Sequence, residues 1–261
     1  MSDLVLRPRS ATELLDAAFQ VYRRAPMQFM VGVAAVYVPW LVIRLVLDVN
    51  ITPPTPSNPT ISVELNQLIV LAAVGMGIFA LAGGVTTVLA SNVYLDRPVD
   101  VAAAFAQVLR RFVSLIVSSL AVVVLIAMGA MLFLLPALYV VARFYAVRQT
   151  VMLEDAGVGR ALSRASELSK GFKWHILATL FFVVVLTIAV DVGVSMLLSR
   201  LPSRVVVNLI STALAVVIGP LFGITETVLY YDLRIRKEGF DVEYLAAAAA
   251  PPPSQPSDVT A

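Results

Sequence analysis

The sequence predicts an all-α integral membrane protein with six transmembrane helices. They are arranged as three parallel repeats of an amphipathic interfacial helix followed by a helical hairpin. Three observations lead there: composition, the length of the apolar runs, and the placement of arginine and lysine. Of the 261 residues 59% are hydrophobic and 14% charged, where a soluble domain carries about a quarter charged residues. Mean hydropathy is +0.89. One soluble core could not hide this much apolar surface, so lipid is the natural solvent.

A bilayer core takes about 20 apolar residues per helix. Runs that meet this length are Met27–Val49, Leu68–Tyr94, Phe112–Leu153, Trp174–Leu198 and Val205–Tyr231. The third run would reach about 60 Å as one helix, twice the hydrocarbon thickness. It is split into two spans near Pro136, a residue suited to a first helical turn. The turn is expected between Gly129 and Ala137. Basic residues in short loops favour the cytoplasm. Arg7, Arg9, Arg23 and Arg24 precede the first span, Arg97, Arg110 and Arg111 the third, and Arg160, Arg164, Lys170 and Lys173 the fifth. Arg234, Arg236 and Lys237 follow the last span. Six spans put these segments on one side, with both termini cytoplasmic. Arg200 and Arg204 fall on the other side. The polar, amphipathic first 26 residues lack a signal-peptide pattern, so the first span is expected to act as its own signal.

Residues 1–245 form the membrane domain, with repeats at about 10–95, 96–153 and 154–245. Each repeat opens on a short amphipathic helix. Ser10 and Glu13 make a capping box, followed by an apolar stripe of Leu15, Ala18, Phe19 and Tyr22. The second stripe is Val101, Phe105, Val108 and Phe112. The third is Val158, Ala161, Leu162, Ala165 and Leu168, with Gly171 as a helix stop. Such helices suit the membrane interface, apolar face toward acyl chains and basic face toward anionic headgroups. They are read either as that collar or as elbows entering each hairpin. The proline-rich segment Asn50–Gln67 reads as an external loop. Residues 246–261, rich in Ala and Pro, read as a disordered cytoplasmic tail.

Ionisable residues expected within spans are Arg44, Arg143, Arg148, Asp191 and Glu226, with Asp48 at an outer edge. Such groups are costly in lipid and mark pathways or buried pairs. Depth pairs Arg44 with Asp48, Arg143 with Asp191, and Arg148 with Glu226. Two readings are open. The charges lock helices together, or they line a polar cleft for a headgroup, ion or phosphate, with Arg143 and Arg148 donating to the anion. A spacing of five sets those two about 140° apart on a helix. Small residues Ala73, Gly77, Ala80 and Gly84, and Gly219 with Gly223, suit close helix packing. Pro220 is expected to kink the last span.

The chain has no Cys and one His, His175. Thiolate chemistry is excluded, and neither a metal nor another cofactor is expected. His175, beside Lys173 and Trp174, reads as a headgroup-level residue. No phosphate-cradling glycine loop, zinc-protease motif or nucleophile elbow occurs. Nucleic acid is not expected as a partner, because the basic residues hug the span ends.

Three stretches carry a family resemblance. They are Leu6–Asp16 leading into Tyr22-Arg23-Arg24, Ala161–Gly171, and Leu229–Asp241. Together they resemble the bacterial membrane-domain family named after glycerophosphoryl diester phosphodiesterase. The likeness covers nearly all of the chain but its tail. It implies a six-span module of the bacterial plasma membrane, found in some chains beside a soluble phosphodiesterase barrel. This chain has no room for that barrel, so no catalytic residue is carried over. The expected role is a non-enzymatic module that binds or organises lipid, or a subunit of a membrane assembly. The alternatives are transport of a lipid or small amphiphile, and an accessory role in glycerophosphodiester metabolism. A membrane-embedded phosphodiesterase ranks last. Expected partners are membrane lipids, anionic ones included, and a protein partner or second copy of the chain.

Overall fold

A computed structural model describes residues 6–46, 65–199, 201, 203–242 and 244, with the side chains of 44, 46, 65–72 and 204 left aside. Among the described residues there are ten helices and no strands. In chain order they are α1 (Ala11–Arg24), α2 (Pro26–Val46), α3 (Leu65–Tyr94), α4 (Val101–Arg110) and α5 (Phe112–Leu132). Then come α6 (Leu134–Phe144), α7 (Val147–Leu153), α8 (Val158–Ser169), α9 (Lys173–Leu198) and α10 (Arg204–Glu238). Five of these, α2, α3, α5, α9 and α10, are long and apolar enough to cross a membrane. The segment 47–64, the tail from 245 onward, Asp48 and the Arg44 side chain lie outside what is described.

Local chemistry sets the boundaries. The Ser10 hydroxyl accepts from the Glu13 backbone N–H (3.3 Å), and Glu13 accepts from the Ser10 N–H (2.8 Å), completing the capping box. Ala25 interrupts the helix, and Pro26 then opens α2, where its missing N–H costs nothing. Asp100 caps α4 by accepting from the N–H groups of Ala102 and Ala103. Gly171 (φ +86°) stops the chain after α8, and Gly239 (φ +64°) ends α10 with its N–H on the Ile235 carbonyl.

The long third run divides where expected, and then divides again. Phe133 is extended between α5 and α6, so Pro136 falls in the first turn of α6. A Cβ on Gly129 would lie 2.9 Å from the Ala137 backbone nitrogen, so the two helices touch at the turn. The expected fourth span is not one helix. It breaks at Tyr145 and Ala146, leaving an 11-residue and a 7-residue piece. The break separates two arginines with different partners: Arg143 turns to α8 and Arg148 to α10.

Packing is concentrated at one end. There α3 is buried from Gly84 to Tyr94 except at Asn92, and α10 is buried from Gly223 to Leu233. The second half of α10 is a central pillar, contacted by α1, α2, α3, α8 and α9. At the other end α5, α9 and the first half of α10 leave large apolar side chains exposed, as lipid-facing helices do. Helix α1 runs antiparallel along α10. The Arg9 N–H donates to Asp232 (2.7 Å), and the Tyr22 hydroxyl donates to the Val217 carbonyl (2.8 Å). Val217 lies three residues before Pro220, where the proline ring disturbs the helix ladder, so Tyr22 satisfies a carbonyl near the expected kink.

The short helices rest on protein. In α1 the buried face is Leu14, Ala17, Ala18 and Val21, while Phe19 remains 42% exposed. The expected stripe was thus one residue out of register. Ala17 and Ala18 are the reason: small side chains let α1 approach α9 and α10 closely. The expected α8 stripe holds, with Ala161, Ala165 and Leu168 buried; of the α4 stripe Val108 is buried and Val101 and Phe105 are half-buried against the core, with Ala104 added to that face. Among the small residues, Ala80 and Gly84 are packed, and a Cβ on Gly223 would lie 2.9 Å from Thr86. Gly77 and Gly219 face open space.

Candidate functional site

An enclosed ion pair lies where α7 meets α3 and α10. Arg148 Nη1 donates to Glu226 Oε2 at 2.9 Å, and each side chain is 11% exposed. The pair expected from depth along the spans is therefore present. Phe79 of α3 lies under the guanidinium, 4.6 Å from Cζ to ring centroid, adding a cation–π contact. Gly83, one turn on, clears the way: a Cβ there would sit 2.6 Å from Arg148 Cζ. Gly83 was not among the small residues singled out from sequence. Its adjacency to Gly84 was the only available signal.

Arg148 divides two cavities. The first, of about 310 Å³, lies among α2, α3, α9 and α10 and is lined by Tyr37, Phe79, Thr86, Thr187 and Phe222. The second, of about 230 Å³, lies among α3, α5, α6, α7 and α10 and is lined by Phe79, Ser119, Tyr145, Phe222 and Glu226. Both are mainly apolar, and both share Arg148, Phe79 and Phe222. Polar capacity is left over around them. Arg148 Nε and the Tyr145 hydroxyl are buried without a hydrogen bond, and the fully buried Gln149 amide lies against Glu226 without a well-formed one. Buried polar atoms left unpaired cost about 1–3 kcal/mol each.

The other predicted site residues go elsewhere. Arg143 Nε donates to Ser166 of α8 (3.0 Å), and its guanidinium lies 5.4 Å from the Phe144 ring centroid. Asp191 is exposed on α9 and has no ion-pair partner among the described residues. The expected Arg143–Asp191 pair is therefore absent. The cause is the break after Phe144, which leaves Arg143 in the last turn of α6 beside α8. Arg143 and Arg148 do not converge on one ligand.

A second polar cluster joins the packed end. Asp232, 1% exposed in its side chain, accepts from the Arg9 N–H, from Arg236 Nε (2.8 Å) and faces His175 Nε2 (3.1 Å). His175 is thus a partner of α10 rather than a residue at headgroup level alone. Tyr230 donates to Glu154 (2.7 Å), and Arg164 pairs with both Glu154 and Glu238. The Glu238 hydrogen bond, ahead of the Glu154 contacts, holds Arg164 protonated above its ordinary range. The stretch from Tyr230 to Glu238 docks on α1, α8 and the segment between α7 and α8. Among the described residues no group of three or more His, Asp or Glu side chains is placed to hold a metal ion.

Fold and site together define a multi-pass, all-α membrane protein with a buried ion pair between two apolar cavities. No family model, curated protein or solved structure matches the chain.

Proposed function

We propose that this chain is a non-enzymatic membrane module that holds an amphiphile with an anionic group. The observation that carries the reading is the pair of apolar cavities sharing Arg148, whose Nε is buried without a hydrogen bond. An apolar pocket with one convergent cation suits a ligand with a hydrocarbon body and a negative head. Transport of such an amphiphile is a second reading, favoured by one feature: the cavities lie on two sides of the same Arg148–Phe79–Phe222 partition. Kinship with the glycerophosphoryl diester phosphodiesterase membrane-domain family belongs to this proposal and rests on the three quoted stretches.

Six crossings and three repeated units are also proposed. Gln107 of α4 donates to the Met152 carbonyl at the end of α7 (2.7 Å), and Arg111 pairs with Asp155 just beyond. The start and finish of the α5–α7 segment therefore lie at one end. Helix α5 is long enough to leave, and α6 with α7 covers about 30 Å in roughly 20 residues, enough to return.

The test is lipid retention through gentle purification, read by native mass spectrometry. Wild type is expected to keep one tightly held anionic amphiphile. The double variant Arg148→Met/Glu226→Leu, which removes cation and counter-charge together, is expected to lose it. The same retained ligand in both proteins would overturn the reading.

A further inference from the structure

An apolar groove of about 520 Å³ runs on the outer face between α6 and α9, with Val141, Leu180 and Val184 separating it from the Arg148 cavities, and Arg148 itself is not in its lining. Leu138 and Val141 form one wall; Trp174, Leu177, Phe181 and Val184 form the other. From Trp174 to Val184 the helix rises about 15 Å, half the hydrocarbon core and so one leaflet deep. The groove is open: Trp174 is 84% exposed and Phe181 62%.

Its head is basic. Lys173, at the start of α9 where the apolar run begins, sits 5.0 Å from the Tyr139 ring centroid and so bridges α9 to α6. Lys170 is exposed three residues earlier, across the Gly171 turn. Phe172, between the two lysines, lies 6.0 Å from Lys237 Nζ, so α10 adds a third cation. Lys170 and Lys173 crowd Lys237, and Glu238, which also pairs with Arg164 and Arg234, offsets them only in part, so the head stays positive on balance. Glu167 lies nearby, but Lys237 meets its carbonyl oxygen rather than its carboxylate.

We propose that this groove is a binding site for an anionic phospholipid, with one acyl chain along α9 and the phosphate against Lys170, Lys173 and Lys237. Charge complementarity at the head and one-leaflet depth select this occupant over a second protein helix. A helix would bury Trp174 but bring no further anion to the three lysines. The site does not depend on the Arg148 reading.

The chain has two tryptophans, Trp40 and Trp174, so Trp40→Phe leaves Trp174 as the sole reporter. The protein is reconstituted in phosphatidylcholine vesicles containing increasing brominated phosphatidylglycerol, or brominated phosphatidylcholine in unbrominated phosphatidylglycerol. Quenching of Trp174 is expected to favour the anionic lipid by about thirtyfold, from two lysine contacts at about 1 kcal/mol each. The preference should weaken at high salt, vanish in Lys170→Gln/Lys173→Gln, and persist in Lys170→Arg/Lys173→Arg and in Arg148→Met/Glu226→Leu. Equal quenching by both headgroups would make the groove an unselective annular surface. Absence of quenching by either lipid would mean that protein covers it. Selectivity that survives the glutamine variants would place the anion elsewhere. Any of these three results overturns the proposal.

Discussion

At the scale of single residues, the Arg148–Glu226 pair exchanges hydration for one hydrogen bond, a phenyl face and a close backbone at Gly83. Deleting one partner strands the other charge, at a cost of about 3–5 kcal/mol, while apolar replacement of both is far milder. Glu226→Ala is therefore expected to lower the melting temperature in detergent sharply. Arg148→Met/Glu226→Leu should recover most of that loss. A double variant as unstable as the single one would mean that Arg148 holds the bundle through contacts other than Glu226. The pair was legible in the sequence because both residues lie at similar depth in apolar runs, and a buried charge demands a partner. Gly83 was not, because its role depends on where a side chain from another helix lands. Arg143 misled for a related reason. Its depth was counted along a continuous helix, and the break after Phe144 put it beside Ser166 instead.

At the scale of elements, the helix ends were the most legible parts, since caps are local chemistry. Ser10 with Glu13, Asp100, Gly171 and Pro136 all act close to where their types suggest. The break at Tyr145–Ala146 was hidden because neither residue disfavours helix strongly. The α1 stripe slipped by one because two overlapping apolar sets exist, Leu14-Ala17-Ala18-Val21 and Leu15-Ala18-Phe19-Tyr22, and tertiary packing chose the smaller side chains. The α1 cap also makes a pH prediction. The Ser10 backbone N–H, then Arg7, hold the Glu13 carboxyl down at about 2, from an ordinary 4.5. A depressed carboxylate stabilises the fold fully above its unfolded value, and that contribution is lost as pH falls toward the folded one. The stability gap between wild type and Glu13→Gln should then be constant above about 4.5 and shrink steadily toward pH 2. Thermal melts at pH 6 and pH 3 read this directly. A gap that is unchanged at pH 3 would remove the cap from the account.

At the scale of the whole molecule, the two ends differ in kind. One is tied by charged and aromatic contacts that cross the chain: Arg24 with Asp96, Arg111 with Asp155, and the column Tyr94, Tyr231, Phe240 and Tyr244. The two ion pairs correspond. In each, an arginine ending a short helix meets an aspartate of positive φ just after the second apolar segment of its unit. That correspondence is what a repeated unit of one short helix and two crossings would produce. The proposed architecture also has a parity: α4 and α8 share an end only if the chain between them crosses an even number of times. The chain has no cysteine, so each introduced one reports alone. With the basic side cytoplasmic, as proposed from the arginine and lysine placement, Ala102→Cys on α4 and Ser163→Cys on α8, both exposed, should react with a membrane-impermeant thiol reagent only in inverted vesicles. Ser199→Cys, between α9 and α10 and also exposed, should react only in intact cells. If positions 102 and 163 label from opposite sides, α5 crosses alone, the α6–α7 pieces do not return through the bilayer, and the three-unit architecture falls with them.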